Sequence, residues 1–101
     1  MSLLVYFASR ALEQIAEADQ WCKDNRPSTP NLFQEELTHA ISLLSEYPNI
    51  GTSHPDRQKQ GVRKRLLKKT NYHVYYRQDS KRPALEVLSV WSTRRGQPPK
   101  L

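Results

Sequence analysis

The sequence predicts an α+β fold: a helical hairpin packed on one face of a mainly antiparallel, twisted sheet. Three observations carry this. One short β-favouring run is followed by two apolar stripes at helical spacing, and the second half holds three β-favouring runs separated by turn residues. Helices that follow one another ahead of consecutive strands segregate to one side of a sheet. The predicted order is β-α-α-β-β-β, in a chain whose 101 residues suffice for one core and not for two. Residues 1–101 are therefore read as a single domain, with 92–101 as a basic C-terminal tail.

Leu3 to Phe7 is apolar at nearly every position, which fits a strand covered on both faces. Its apolar stretch lacks a basic leader and runs into a helical pattern, so it is read as a strand and not a signal. Ser9 is the expected N-cap of the first helix, in which Ala11, Leu12, Ile15, Ala18 and Cys22 recur at spacings of one, three or four up to about Asn25. Pro27 and Pro30 break it. Thr29 can cap a second helix with Pro30 at its first position, and Phe33, Leu37, Ala40, Ile41 and Leu44 form its stripe.

Tyr47 to Gln60 has two prolines, a glycine and no periodicity, and reads as a surface loop. The stretch from Gly61 to Arg77 reads as a β-hairpin around the turn Lys68-Lys69-Thr70-Asn71. Period-two geometry is expected to bury Val62 and Leu66 with Tyr72, Val74 and Tyr76, and to present Arg63, Arg65, His73, Tyr75 and Arg77 on the opposite face. Residues 79–83 form the next turn, Leu85 to Trp91 the last strand, and the tail is expected to leave the sheet, keeping one sheet face open to a partner.

Charge divides the chain. Residues 1–56 hold three Lys/Arg against eight Asp/Glu, and residues 57–101 hold thirteen against two, for a formal net charge of +6. Between Arg57 and Arg77 there are eight Lys/Arg and no acidic residue. Edge-strand lysines that discourage aggregation explain part of such a cluster. Eight cations without an interspersed carboxylate exceed that need and point to an anionic partner, a nucleic acid or an acidic protein more than a membrane.

Cys22 is the only cysteine, so no intramolecular disulfide forms and a cytoplasmic setting is expected. It falls on the apolar face of the first helix, where a core role fits better than a nucleophile. His39, His54 and His73 lie on a helix, a loop and a strand without the short spacing of zinc ligands, and three glycines provide no phosphate cradle. No metal or cofactor is expected. A metal-free ribonuclease would draw on Arg63, Arg65 and Arg94 for phosphate and on His73 or Tyr75 for the proton. Sheet packing accounts for Tyr72 and Tyr76, Tyr75 fits packing or function equally, and Trp91 suits core or sheet-edge packing.

The combination of YPNIG after the second helix, GVRKRLLKKTNYHVYYR and LEVLSVWSTRRGQPP resembles the RelE/ParE superfamily of bacterial toxins, in particular its ParE-like, plasmid-stabilisation branch, from Leu4 to about Pro99. The resemblance implies the toxin of a type II toxin–antitoxin pair, with a cognate antitoxin bearing an acidic segment and often a higher-order complex. It implies either inhibition of DNA gyrase by binding, as in ParE-like members, or ribosome-dependent cleavage of mRNA, as in RelE-like members; an inactive homologue retained for antitoxin binding is the third alternative. Arg63 matches the family's basic position after the loop, and Arg94 and Arg95 match the basic pair after the last strand. Ser92 stands where related sequences often have a histidine, and no tyrosine follows the last strand. This departure favours a binding toxin over an enzyme, with Arg63, Arg65, Tyr75, Arg77, Trp91, Arg94 and Arg95 as the contact residues. The nuclease alternative would use Arg63, His73, Tyr75 and Arg94.

Overall fold

The computed structural model describes residues 2–55 and 61–101. The elements are β1 (Leu4–Phe7), α1 (Ser9–Asn25), α2 (Leu32–Glu46), β2 (Thr52–Ser53), β3 (Arg63–Leu67), β4 (Tyr72–Gln78) and β5 (Ala84–Ser92). They build one five-stranded sheet in the order β1-β5-β4-β3-β2, parallel between β1 and β5 and antiparallel elsewhere. The helices cover one face, where Phe33, Leu37, Ala40 and Leu44 of α2 and Ala11, Ala18 and Cys22 of α1 meet Leu67, Val74, Tyr76, Leu85, Val87 and Val90. This is the predicted α+β arrangement.

Details depart from the expected elements for identifiable reasons. β1 is an edge strand, and Leu4 is 68% exposed; apolar composition does not bring cover on both sides when the helices lie on one. The chain enters α1 without a linker, so Ala8 occupies the N-cap position while its amide donates to the Val87 carbonyl at 2.9 Å. Ser9 is already helical. Leu12 is 54% exposed, on the side of α1 away from the sheet. Thr29 and Pro30 belong to a turn in which the Leu32 amide donates to the Thr29 carbonyl at 3.2 Å, and α2 starts after Asn31. The expected loop 47–60 contributes β2, which pairs Thr52 with Lys64 and Ser53 with Arg63; Arg57 and Lys59 lie outside the described residues.

The largest correction concerns the hairpin faces. Pairing runs Arg63 with Tyr76, Arg65 with Val74 and Leu67 with Tyr72, and directly opposed residues share a face. Arg63 and Arg65 therefore stand on the helix-covered side. Lys64 and Leu66 stand with Tyr75 and His73 on the other. The adjacent Leu66 and Leu67 allow two registers that differ by one residue, and a one-residue slip exchanges faces. The turn decides between them: Asn71 has a left-handed φ of 61°, and its amide donates to the Leu67 carbonyl at 2.8 Å, so Leu67 is buried and Leu66 exposed.

The far face of the sheet is not left open. Val62, Tyr75 and Leu88 form a second apolar cluster, joined by Trp91 and Leu101. The tail turns back over it: the Trp91 indole N–H donates to the Gln97 carbonyl at 2.8 Å, the Arg10 guanidinium donates to the Lys100 carbonyl, and Pro99 is buried. An apolar strip on an otherwise uncovered sheet is reason enough for the apolar tail residues to return.

Tyr76 fixes the loop after α2. Its hydroxyl donates to the Pro48 carbonyl at 2.7 Å and accepts from the Gly51 amide at 2.9 Å. A Cβ on Gly51 would lie 2.4 Å from that hydroxyl and 2.8 Å from the Lys64 carbonyl, so the glycine of YPNIG is a matter of space. Tyr76→Phe is expected to lower unfolding stability by about 1–3 kcal/mol, because the buried Gly51 N–H loses its acceptor. Denaturant titration checks this; an unchanged midpoint would mean that the loop finds other partners.

Asp79 ties β1 to the β4–β5 turn. It accepts from the Lys81 amide at 2.8 Å, from the Tyr6 hydroxyl at 2.9 Å and from Arg82 at 3.2 Å. These donors hold its carboxyl well below the usual range, at about 2. A depressed carboxylate contributes stability that is complete above its unfolded pKa and is lost as pH falls through the folded one. Compared with Asp79→Asn, the wild type should thus lose its advantage between about pH 4 and about pH 2. A constant difference across that window in acid titrations would contradict this.

Candidate partner-binding surface

The turn after β5 carries two adjacent exposed cations, Arg94 and Arg95. Thr93 donates its amide to the Asn71 carbonyl at 2.9 Å, and the Arg94 amide donates to the Ser92 hydroxyl at 3.1 Å. Ser92 thus serves as a local cap of the turn. The two following side chains part. Arg94 lies over the Trp21 ring of α1, 4.7 Å from its centroid, and Arg95 lies over Trp91 of β5 at 4.2 Å.

Stacking takes up the flat face of each guanidinium and leaves N–H edges for an anion. The indoles hold two long side chains in defined positions, which reduces the ordering cost when a partner docks. Between α1 and the strand ends lies a recess of about 160 Å³ lined by Gln14, Glu17, Trp21, Tyr72, Ser92 and Arg95. Burial raises the Tyr72 hydroxyl pKa, and the two arginines act against that shift. This corner can bind carboxylates or phosphates bidentately. Arginine itself does not move protons at neutral pH.

The other sequence-predicted residues lie elsewhere. Arg63 donates to the Gly51 carbonyl at 2.8 Å, near Tyr76. Arg65 is half-buried on the same face. Arg77 pairs with Glu86 at 3.1 Å, a partly exposed pair whose contribution is small. Tyr75 is only 5% exposed, and burial raises its pKa. His73 packs edge-on against Tyr75 with ring centroids 6.1 Å apart; burial, then the Lys64 ammonium, lowers its pKa and keeps the imidazole neutral at pH 7.

Arg63, His73, Tyr75 and Arg94 are therefore not brought together: Arg63 is across the sheet from His73 and Tyr75, and Arg94 is on the α1 side of the strand ends. Among the described residues, no three His, Cys, Asp or Glu side chains converge as metal ligands. No helix among them is long and apolar enough to cross a membrane. Sequence reasoning missed Trp21, whose signal was a large aromatic on the exposed side of an amphipathic helix, next to Cys22. It also missed Glu36 and Thr70, described below, which carry no local signal.

Several solved structures share this fold, among them the following three. The chain resembles one in the chromosomal ParDE toxin–antitoxin system of P. aeruginosa with a TM-score of 0.71 and 14% identity, over 90% of this chain and 96% of that one. The toxin–antitoxin complex RelBE2 of Mycobacterium tuberculosis gives 0.64 and 18%, over 91% and 99%. The isolated E. coli RelE toxin gives 0.65 and 20%, over 95% and 89%. No curated protein sequence matches the chain. The sequence profile of the ParE toxins of type II toxin–antitoxin systems, parDE, matches residues 5–96, and with nearly the whole domain covered, the chain belongs to that toxin family.

Proposed function

We propose that this toxin acts by binding and not by cleavage, with DNA gyrase as its cytoplasmic target, and that it serves plasmid stabilisation. Its antitoxin presents an acidic segment to the same basic corner. The observation that carries the reading is the pair of indole-stacked guanidiniums, Arg94 on Trp21 and Arg95 on Trp91, a preorganised site for carboxylate or phosphate. The relatives solved as ParDE and RelBE2 assemblies support a protein partner of this kind.

Cleavage of mRNA on the ribosome is the second reading, favoured by one observation: His73 is held neutral, as a general base must be. Its phosphate-binding arginines would have to come from elsewhere on the surface. The deciding experiment induces the chain without antitoxin, follows growth, and tests purified protein for gyrase supercoiling and for ribosome-programmed mRNA cleavage. Growth arrest with blocked supercoiling and intact mRNA supports the binding toxin. Cleaved mRNA with normal supercoiling overturns it, and absence of arrest points to an inactive homologue.

A further inference from the structure

Glu36 stands on α2, remote in sequence from every arginine discussed above, and its carboxylate is fully committed to the β3–β4 turn. One oxygen accepts from the Lys69 amide at 2.7 Å; the other accepts from the Thr70 amide at 3.0 Å and the Thr70 hydroxyl at 2.6 Å. Hydrogen bonds to an ionised acceptor are about twice as strong as neutral ones. Thr70 is buried at 2% exposure, unusual for a turn residue.

The same turn presents two carbonyls to the chain beyond β5. Asn71 accepts from the Thr93 amide at 2.9 Å, and Thr70 receives the weaker approach of the Arg94 guanidinium at 3.5 Å. Asn71 reaches this position only through its left-handed backbone, at φ 61°, a conformation that costs free energy unless the surroundings hold it. The Glu36 carboxylate supplies part of that hold, for it fixes the two residues before Asn71.

We infer that Glu36 is a positioning residue for the arginine corner: through Thr70 and Asn71 it places Thr93 and Arg94 so that the guanidinium rests on Trp21. The inference rests on the binding reading above for its functional consequence, but not for its structural one. In Glu36→Gln an amide N–H₂ replaces one of two acceptor oxygens and meets a backbone donor, so the turn loses a partner while side-chain size is kept.

The test measures amide hydrogen exchange of the full chain, with the Ala8 amide, which bonds to Val87 far from the turn, as internal control. In Glu36→Gln the Thr93 amide should exchange about tenfold faster with Ala8 unchanged, the signature of local opening. Thr70→Val, which removes only the hydroxyl, should give about threefold. It serves as the test if Glu36→Gln does not fold, and Thr70→Ser should restore wild-type exchange.

Gyrase inhibition should weaken about tenfold in Glu36→Gln, and the substitution should have no further effect in an Arg94→Ala background, since coupled residues are non-additive. Unchanged Thr93 exchange in a folded Glu36→Gln or Thr70→Val protein overturns the inference. So does faster exchange with undiminished inhibition, which would make Glu36 an anchor of the turn alone. If the wild type leaves supercoiling untouched, the gyrase reading fails, while the Thr93 exchange still decides whether Glu36 holds the corner.

Discussion

Phe33→Ala is expected to destabilise the fold by about 3–5 kcal/mol, the range for removing a large aromatic from a core that cannot collapse around the loss. Phe33 is 0% exposed and meets Tyr72 edge-on with ring centroids 5.2 Å apart. It joins α2 to the sheet where β4 begins, so its cavity would open against the turn and the strand end together. Domains of this size have about 5–15 kcal/mol in total, and each kcal/mol moves the melting temperature by about 4–8 °C. Thermal and denaturant unfolding should show a protein that is marginal at 37 °C, whereas Phe33→Leu should recover much of the loss. A loss below about 1 kcal/mol would mean that the helices repack around the cavity.

On the binding reading proposed above, Arg94→Ala combined with Arg95→Ala is expected to weaken gyrase inhibition by about 100-fold or more, since arginine is enriched among interface hot spots, whose truncation costs about 2 kcal/mol or more. Both side chains are exposed and lie on indoles, so their removal leaves the core intact and circular dichroism should be unchanged. Lysine at both positions should restore little, because an ammonium neither stacks as a plane nor binds bidentately. Supercoiling assays and growth after induction give the readout. Full toxicity in the double variant would shift attention to Arg63 and Arg65 of β3.

The fold class was legible in the sequence because it depends on features a chain carries locally. The α2 stripe of Phe33, Leu37, Ala40 and Leu44, the turn around Asn71 and the β-branched run of β5 act within a few residues, and each appears where expected. Arg94 and Arg95 were also legible, as adjacent charges beyond the last strand. The side of the sheet each β3 residue occupies was not, although Tyr72, Val74 and Tyr76 of β4 stand on the buried face as expected. Two consecutive leucines satisfy either face, and the register is chosen by a turn that is itself anchored by Glu36, more than thirty residues away in sequence.

By itself the sequence determined the helical hairpin, the three main strands after it, the separation of acidic and basic halves and the resemblance to the toxin superfamily. Only the tertiary structure decided that Tyr75 is buried beneath the returning tail, that Arg63 stands apart from His73, and that Trp21 and Trp91 each hold one arginine. The reason is physical. Periodicity and charge are properties of neighbours along the chain, whereas register, fold-back and stacking are set by contacts between segments far apart in it.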